Sequence, residues 1–364
     1  MNYTAAFWSQ GSNPSTNSGV QGDPWTVDGP CTGGATAAPT ASATAAPSGP
    51  STPVGSPPAG FIFSQYKDVT INANWNTYVI STEVTGTAEP LLSAMPAQNN
   101  VVTLAFATGT CGAESWGGIS PSSLISANMS SFAAAGKYYI ISTGGAAGTF
   151  LCPTSSGFVS FIQSYYTPQM LGVDFDIEGG QSQTDINNLV QDVKAAEATY
   201  PKMRFSFTVA TLGGNGSPAL GTLGVEVVDA IQTIGLSSYT INLMTMDYGS
   251  AIASNCVVVS GACEMGQSAV QAAEDLHSQF NVPYANMELT PMIGGNDTSG
   301  ETFTIADVAT VSSFVRQNGL AGVHFWSFDR DNDCPPGSAS PTCNSYGSAG
   351  TLGFTKAFLS ALGL

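Results

Sequence analysis

The chain has 364 residues, of which 43% are hydrophobic, enough for one large domain with an appendage. Charged residues make up only 9%, and 25 Asp and Glu face 8 Lys and Arg, for a formal net charge of −17. Such a surface repels phosphate backbones and anionic lipid, so we expect neither nucleic acid nor a membrane as partner. No apolar run approaches the roughly 20 residues of a membrane-spanning helix. This negative charge does not weaken the binding of a neutral, hydroxyl-rich ligand.

The first 31 residues carry aromatic rings among small and polar residues: Phe7, Trp8 and Trp25. This segment resembles the latter part of a small chitin-binding module of carbohydrate-binding families 5 and 12. The resemblance implies that these three rings stack on sugars. About thirty residues rarely form a core, so we expect an incomplete β module, with a disordered tail as the alternative. The start has no basic and apolar leader pattern, which we interpret as an N-terminally incomplete chain.

Residues 32–60 contain no charge and almost only Gly, Ala, Pro, Ser and Thr. Such a composition cannot bury enough apolar surface to fold, so it predicts a disordered linker spanning about 30 Å on average. The linker divides the chain into a partial module, residues 1–31, and a large domain, residues 61–364.

In the large domain, short runs rich in Val, Ile, Tyr and Phe alternate with amphipathic stretches. The predicted strands begin at Asn76, Val101, Lys137, Leu171, Arg204, Thr240, Met287 and Gly322. Helical patterns follow several of them, including residues 187–200, 224–235, 267–280, 305–317 and 354–364. Eight strand–helix units predict an α/β fold, a (β/α)8 TIM barrel. A doubly wound open sheet is the rival, but no GxGxxG follows the first strand.

Seven cysteines suggest an exported protein. Two pairs are close in sequence, Cys256 with Cys263 and Cys334 with Cys343, and Cys111 with Cys152 would form a third. Cys31 is left over, and sequence alone cannot prove the pairing. None of the spacings is CxxC, so we expect no zinc site. With the linker, the cysteines predict a secreted, extracellular protein.

The most informative stretch is Leu171–Glu178, LGVDFDIE. In a strand Asp174, Asp176 and Glu178 share one face, about 7 Å apart in succession. Repulsion among three neighbouring carboxylates makes it unfavourable to ionise all of them. At least one therefore holds a proton near neutral pH, as a general acid must. Glu178 is nearest the strand's C-terminal end, where barrel enzymes bind substrate. The same residues could instead form a metal-binding loop, a helix cap or a solvated strand end, but the β-branched and aromatic interleaving favours a strand.

The stretch resembles the DxxDxDxE signature of glycoside hydrolase family 18, the chitinases and related endo-N-acetylglucosaminidases. Other family landmarks follow in order over 61–364. Gly144 and Gly145 stand in an SxGG-like motif, Met244–Tyr248 (MTMDY) lies where the family has Met-x-Tyr-Asp, and Trp326 matches the tryptophan of the sugar subsite.

This resemblance implies a retaining, substrate-assisted mechanism without metal or cofactor. Glu178 would act as general acid and base, Asp176 would orient the substrate acetamide, and Asp174 would share protons with the pair. Asp247 and Tyr248 would contact substrate, as would Trp326, Met246, Gly144 and Gly145. Leu171 replaces the first Asp of the signature and Met246 the usual tyrosine. We expect Tyr248 to face inward by strand parity.

The sequence thus predicts a monomeric enzyme that hydrolyses β-1,4 bonds of chitin or chito-oligosaccharides. The short connection after the seventh strand resembles that of open-cleft relatives, which implies endo-cleavage. An endo-β-N-acetylglucosaminidase acting on N-glycans is one alternative. A non-catalytic chitin-binding barrel lectin is the other. His324 is expected to be a hydrogen-bonded barrel residue rather than a base.

Overall fold

A computed structural model describes residues 2–5, 25–29, 60–337 and 339–364. The chain divides into two compact units, Met1–Pro53 and Val54–Leu364. In the first, strands Asn2–Ala5 and Trp25–Gly29 pair antiparallel. Phe7, Trp8, Cys31 and the predicted linker up to residue 59 lie outside the described residues, as does the side chain of Trp25, so these predictions stay predictions.

The second unit contains a closed barrel of eight strands, all parallel to their neighbours. The strands are β1 (Ile62–Asp68), β2 (Val101–Ala107), β3 (Tyr138–Gly144), β4 (Met170–Asp176), β5 (Arg204–Ala210), β6 (Thr240–Met244), β7 (Met287–Thr290) and β8 (Gly322–Trp326). Strand β8 pairs with β1, which closes the ring. The predicted (β/α)8 barrel is confirmed.

Eight helices accompany the strands in the described part of this unit. They are α1 (Leu91–Ala94), α2 (Pro121–Ala135), α3 (Ser155–Tyr165), α4 (Gln183–Glu197), α5 (Thr222–Ile234), α6 (Met265–Phe280), α7 (Ile305–Asn318) and α8 (Gly353–Leu362). Outward-facing strand residues such as Val173 and Phe175 pack against these helices in one continuous core. None of these helices is both long and apolar enough to cross a membrane.

One predicted strand is wrong. Residues 76–82 are not in the barrel; only Ser81–Thr82 is extended, and it pairs with Glu89–Pro90. The first barrel strand is instead β1, directly after the predicted linker. Nearly all of its residues are buried, including the polar Ser64, Gln65 and Lys67, so the sequence lacks the alternation that marks a half-exposed strand.

The floor of the barrel is apolar. Leu171 packs there with Ile62, Val101, Tyr138 and Ile140. The pairing of β4 with β3 is irregular between Met170 and Gly172. The residue that replaces the first Asp of the signature therefore closes the bottom of the barrel.

All three predicted disulfides form: Cys111–Cys152, Cys256–Cys263 and Cys334–Cys343. The first ties the loop after β2 to the loop after β3, and the second closes a short hairpin before α6. The third lies in the segment between β8 and α8. All three disulfides lie in loops at the C-terminal ends of the strands. The first links two loops at the barrel mouth, and each of the others closes a bridge within one loop.

Candidate active site at the barrel mouth

Asp174 lies inside the barrel, and hydroxyl groups saturate its carboxyl group. Tyr66 and Ser142 donate to Oδ2 at 3.0 and 2.6 Å. Ser206 and Thr208 donate to Oδ1 at 2.7 and 2.6 Å. Four donors suit a carboxylate, which only accepts hydrogen bonds. Asp174 therefore serves as a fixed negative charge beneath the next acid along the strand.

Asp176 ends β4, one pleat closer to the mouth, and is buried. Burial raises the pKa of its carboxyl well above the ordinary value, and the charges of Glu178 and Asp174 raise it further. Asp176 and Glu178 share a hydrogen bond. Within the described residues, Oδ1 of Asp176 is buried and has no hydrogen-bond partner. Asp176 is thus the acid of β4 that favours its protonated form.

Glu178 follows β4, after the strand has ended, and is exposed at the mouth. Partial burial of its carboxyl raises the pKa, and the charge of Asp247 adds to this, while hydrogen bonds from Asp176 and the Ala146 backbone lower it. The net shift is upward. Glu178 can therefore keep a proton at higher pH than an ordinary glutamic acid, and its side chain is exposed to solvent.

A pocket of about 190 Å³ opens above this pair. Asp176 and Glu178 line it with two further acids, Asp247 and Asp297, and no Lys or Arg is among its described lining residues. The rest is mostly apolar or aromatic: Tyr66, Phe106, Ala146, Thr208, Met244, Met246, Thr290, Met292 and Trp326. An acidic pocket with aromatic walls suits a neutral ligand that has apolar faces and polar edges, as sugars have.

Trp326 lies at the end of β8 and is half-buried in the pocket wall. Its ring stacks on Phe106 with centroids 5.8 Å apart and planes 19° apart. Tyr66 contacts it at 6.2 Å. These contacts fix the indole in one orientation, which suits a surface on which a sugar stacks.

The end of β6 departs from the prediction. Met246 and Asp247 do line the pocket, but Tyr248 does not; it is buried in the hydrophobic core. The prediction that Tyr248 faces inward is wrong because β6 ends at Met244 and Asp247 takes a left-handed backbone with φ 51°. Strand parity does not extend past such a turn. The Tyr248 and Gly249 amides instead donate to Glu301.

Gly144 and Gly145 relieve crowding within the protein. Both have positive φ, 87° and 82°. A Cβ on Gly144 would clash with the Asp176 backbone oxygen, and one on Gly145 would lie 2.8 Å from the Phe106 ring. Neither lines the pocket. Because they have no side chain, the end of β3 can pack closely against Asp176 and Phe106, which both line the pocket. The two glycines therefore affect the substrate only indirectly.

Below Asp174 lies a second charged layer. Arg204 of β5 forms an ion pair with Glu288 of β7, whose carboxyl also accepts from Thr240 at 3.0 Å. His324 bonds Ser64 at 2.6 Å, and its Nε2 is 3.4 Å from Glu288. Burial and then the charge of Arg204 lower the pKa of His324 to about 3. His324 is therefore neutral and structural, as predicted.

Several pocket residues were not predicted from sequence. Tyr66 lies on the strand that was missed, and Phe106, Thr208 and Met292 lie on or just after correctly predicted strands. Of these residues, Thr208 could have been found from the sequence. It lies on the same face of its strand as Ser206, and both are polar residues in an otherwise apolar run. Nothing in the sequence distinguished Phe106 or Met292 from core residues.

Within the described residues, no group of three or more His, Cys, Asp or Glu side chains is arranged to hold a metal ion.

Known proteins include relatives that are similar to this chain in sequence. No family model matches the chain. It is 29% identical over 218 residues to a probable bifunctional chitinase/lysozyme of Escherichia coli and to endochitinase 11 of Metarhizium anisopliae. The alignments cover 54% of this chain but only 24% and 40% of those proteins. The chain is chitinase-like. It nevertheless spans less than half the length of either relative.

Solved structures support the fold. The catalytic domain of a hyperthermophilic chitinase from Pyrococcus furiosus superimposes with a TM-score of 0.67 and 23% identity, over 86% of this chain and 98% of that one. Catalytic-site mutants of active domain 2 of the P. furiosus chitinase, complexed with chito-oligosaccharides, match with the same TM-score and 22% identity. At this identity the match shows the barrel alone.

Proposed function

We propose that this chain is a secreted glycoside hydrolase that cleaves β-1,4 bonds between N-acetylglucosamine units of chitin. One observation carries the proposal: a solvent-facing acid, Glu178, shares a hydrogen bond with a buried carboxyl, Asp176, at the mouth of a closed barrel. Both pKa values are raised, so a proton is held where a glycosidic oxygen can reach it. The chitinase-like sequence and fold support the same assignment.

In the proposed mechanism Glu178 donates its proton to the glycosidic oxygen. The substrate's own acetamide oxygen attacks the anomeric carbon, so the protein needs no second nucleophile and configuration is retained. The free Oδ1 of Asp176 can accept the acetamide N–H and stabilise the cationic intermediate. Glu178 then takes a proton from the water that opens this intermediate.

The other residues have supporting roles in this proposal. The hydroxyl-bound Asp174 supplies a fixed negative charge beneath Asp176, and Trp326 provides the surface on which the sugar stacks. Asp247 would contact the substrate and repel the charged form of Glu178. Met246, in the tyrosine position of family 18, contributes an apolar contact only. Tyr248 has no place in the mechanism, because it points into the core.

We propose that cleavage is internal, and the shape of the mouth supports this. Between β7 and α7 lies only a small hairpin, Gly294–Gly295 with Thr302–Phe303, and no additional domain. A cleft that is open at this side admits the middle of a chain. Three disulfides support export. Residues 1–31 would assist chitin binding through Phe7, Trp8 and Trp25, and we expect the enzyme to act as a monomer.

The test is Glu178→Gln, which removes the proton but keeps the shape. We expect hydrolysis of chitotetraose to fall about 10²–10⁴-fold, the usual contribution of a general acid. Calorimetry should still show binding of the oligosaccharide. Glu114→Gln is the matched control, since Glu114 is a buried acid bonded to Tyr165 outside the pocket. If the wild-type chain and Glu178→Gln are equally inert while both bind sugar, the chain is a lectin and the proposal is wrong.

A further inference from the structure

A second groove lies on the mouth side of the barrel, in the loop after β1. It has a volume of about 600 Å³. Its exposed lining includes Asn74, Trp75, Asn76 and Thr77. Loops that follow barrel strands lie on the same face as the pocket. The groove therefore faces the same side as Glu178 but shares no lining residue with the pocket.

Trp75 is unusual in its exposure. Within residues 60–337 and 339–364, two aromatic side chains are largely exposed, Trp75 at 53% and Tyr166 at 49%. Tyr166 pairs with the ring of Tyr200 at 5.4 Å. No ring contact of Trp75 is found in that part of the chain. An indole left open to water among amide and hydroxyl groups suits a sugar, whose apolar face stacks on the ring while its edges take hydrogen bonds.

The loop around this indole is closed by local hydrogen bonds. The Asn74 side chain accepts from the Asn76 and Thr77 amides at 3.1 and 3.2 Å, and its backbone oxygen accepts from the Tyr78 amide at 2.7 Å. Trp75 thus sits at the tip of a hydrogen-bonded turn. Because the turn is already formed, less backbone has to be ordered when a ligand stacks on the indole.

The groove is also fixed to the pocket wall. Asp329, three residues after Trp326, is buried and accepts from Thr82 at 2.7 Å and from Asn72 at 3.5 Å. Its other oxygen pairs with Lys67 of β1 at 2.5 Å. Asn72 lines the groove, so one buried carboxyl connects both surfaces. The groove is thereby linked to the segment that follows Trp326.

Charge narrows the choice of ligand. Glu83 and Glu89 line the groove, and no Lys or Arg does among its described residues. An anionic polysaccharide is therefore disfavoured, whereas a neutral one is not. The amides can bond to acetamide groups as well as hydroxyls.

We propose that the Trp75 groove is an auxiliary binding surface for the same polymer, which holds N-acetylglucosamine units of a chitin chain outside the catalytic pocket. This inference rests on the proposed function for the identity of the sugar. It predicts that Trp75 matters for polymeric chitin, because only a long chain or a chitin surface occupies the groove and the pocket together.

The experiment compares full-length variants in a Glu178→Gln background, so that the polymer is not cut. Binding isotherms are measured on colloidal chitin. We expect Trp75→Ala to weaken binding roughly three- to tenfold, and Trp75→Tyr to restore most of it. Tyr166→Ala is the control, an exposed ring between α3 and β4, at the opposite end of the barrel, and it should change binding less than about twofold. The unfolding midpoint of each variant shows that the fold is intact.

Two outcomes overturn the inference: Trp75→Ala binds colloidal chitin as tightly as Tyr166→Ala, or Trp75→Tyr binds as weakly as Trp75→Ala. Hydrolysis of chitotetraose by the wild-type chain reports separately on the proposed function. A chain that does not hydrolyse chitotetraose but loses chitin binding on Trp75→Ala would support the groove and reject the enzyme. A chain that hydrolyses it without any effect of Trp75 would do the reverse.

Discussion

The barrel contains two acidic layers that differ in how completely their charges are neutralised. In the lower layer, Glu288 faces Arg204 and accepts a hydrogen bond from Thr240. At the mouth, Asp176 and Glu178 share a hydrogen bond with each other, and among the described residues neither forms an ion pair. In the lower layer the buried ion pair holds β5 and β7 together. In the upper layer no ion pair of the described residues involves either acid, so the pKa values of both are raised and protons are retained there, which costs stability and leaves a proton to donate.

Removing one partner of the lower layer should have the largest effect on stability. Glu288→Gln removes the ion-pair partner of the largely buried Arg204 and leaves only the charge of Asp174 near it, which we expect to cost about 3–5 kcal/mol of unfolding free energy. Glu178→Gln, which removes an acid of the upper layer, should change it by less than about 1 kcal/mol. Urea unfolding followed by circular dichroism measures both. Equal losses would show that the two layers do not differ.

Asp176→Asn tests the upper layer through activity. The amide cannot share a proton with Glu178, nor the negative charge that the pair carries after Glu178 has donated its proton, so we expect kcat on chitotetraose to fall about 10²-fold, or about 2.7 kcal/mol. Stability should stay the same or rise, because a buried acid with a raised pKa has been removed. A loss of activity accompanied by an equal loss of stability would instead assign Asp176 a structural role.

The sequence predicted the upper layer better than what surrounds it. Strand alternation places Asp174 and Asp176 on one face, and this needs only local geometry. The hydroxyls that saturate Asp174 come from β1, β3 and β5, so their convergence depends on the closed barrel. Strand β1 was missed because both its faces are buried. Tyr248 was misplaced because a single left-handed residue, Asp247, ends the alternation.

Glu301 offers a pH test of the mouth. Burial raises its pKa to about 7, and it accepts from the Tyr248 and Gly249 amides. Because the folded pKa lies above the unfolded value of about 4.3, the folded state binds the extra proton, and stability falls as pH rises from about 4.3 to 7. The Glu301 side chain is buried, and the hydrogen bonds from the two amides offset part of the effect of burial, so we expect about 1–2 kcal/mol over this window.

Glu301→Gln should make this decline shallower, whatever it does to absolute stability. The measurement is the unfolding free energy of both proteins at several pH values between 4 and 8. Glu114→Gln provides the control, because the Glu114 carboxyl lies away from this loop against Tyr165. Parallel curves for wild type and Glu301→Gln would contradict the assignment of the slope to this carboxyl.

The smallest expected effect concerns Asp247, whose charge helps to raise the pKa of Glu178. Because Glu178 must be protonated to act as acid, the alkaline limb of the kcat/KM profile follows its pKa. Asp247→Asn removes the repulsion, so the pKa falls and the limb moves to lower pH. Asp297→Asn is the matched control, since Asp297 lines the same pocket but its charge is not among those that raise the pKa of Glu178. If only the Asp247 variant shifts the limb, the upper layer works through a specific pair of charges; if both shift it equally, the acidic pocket as a whole holds the proton on Glu178.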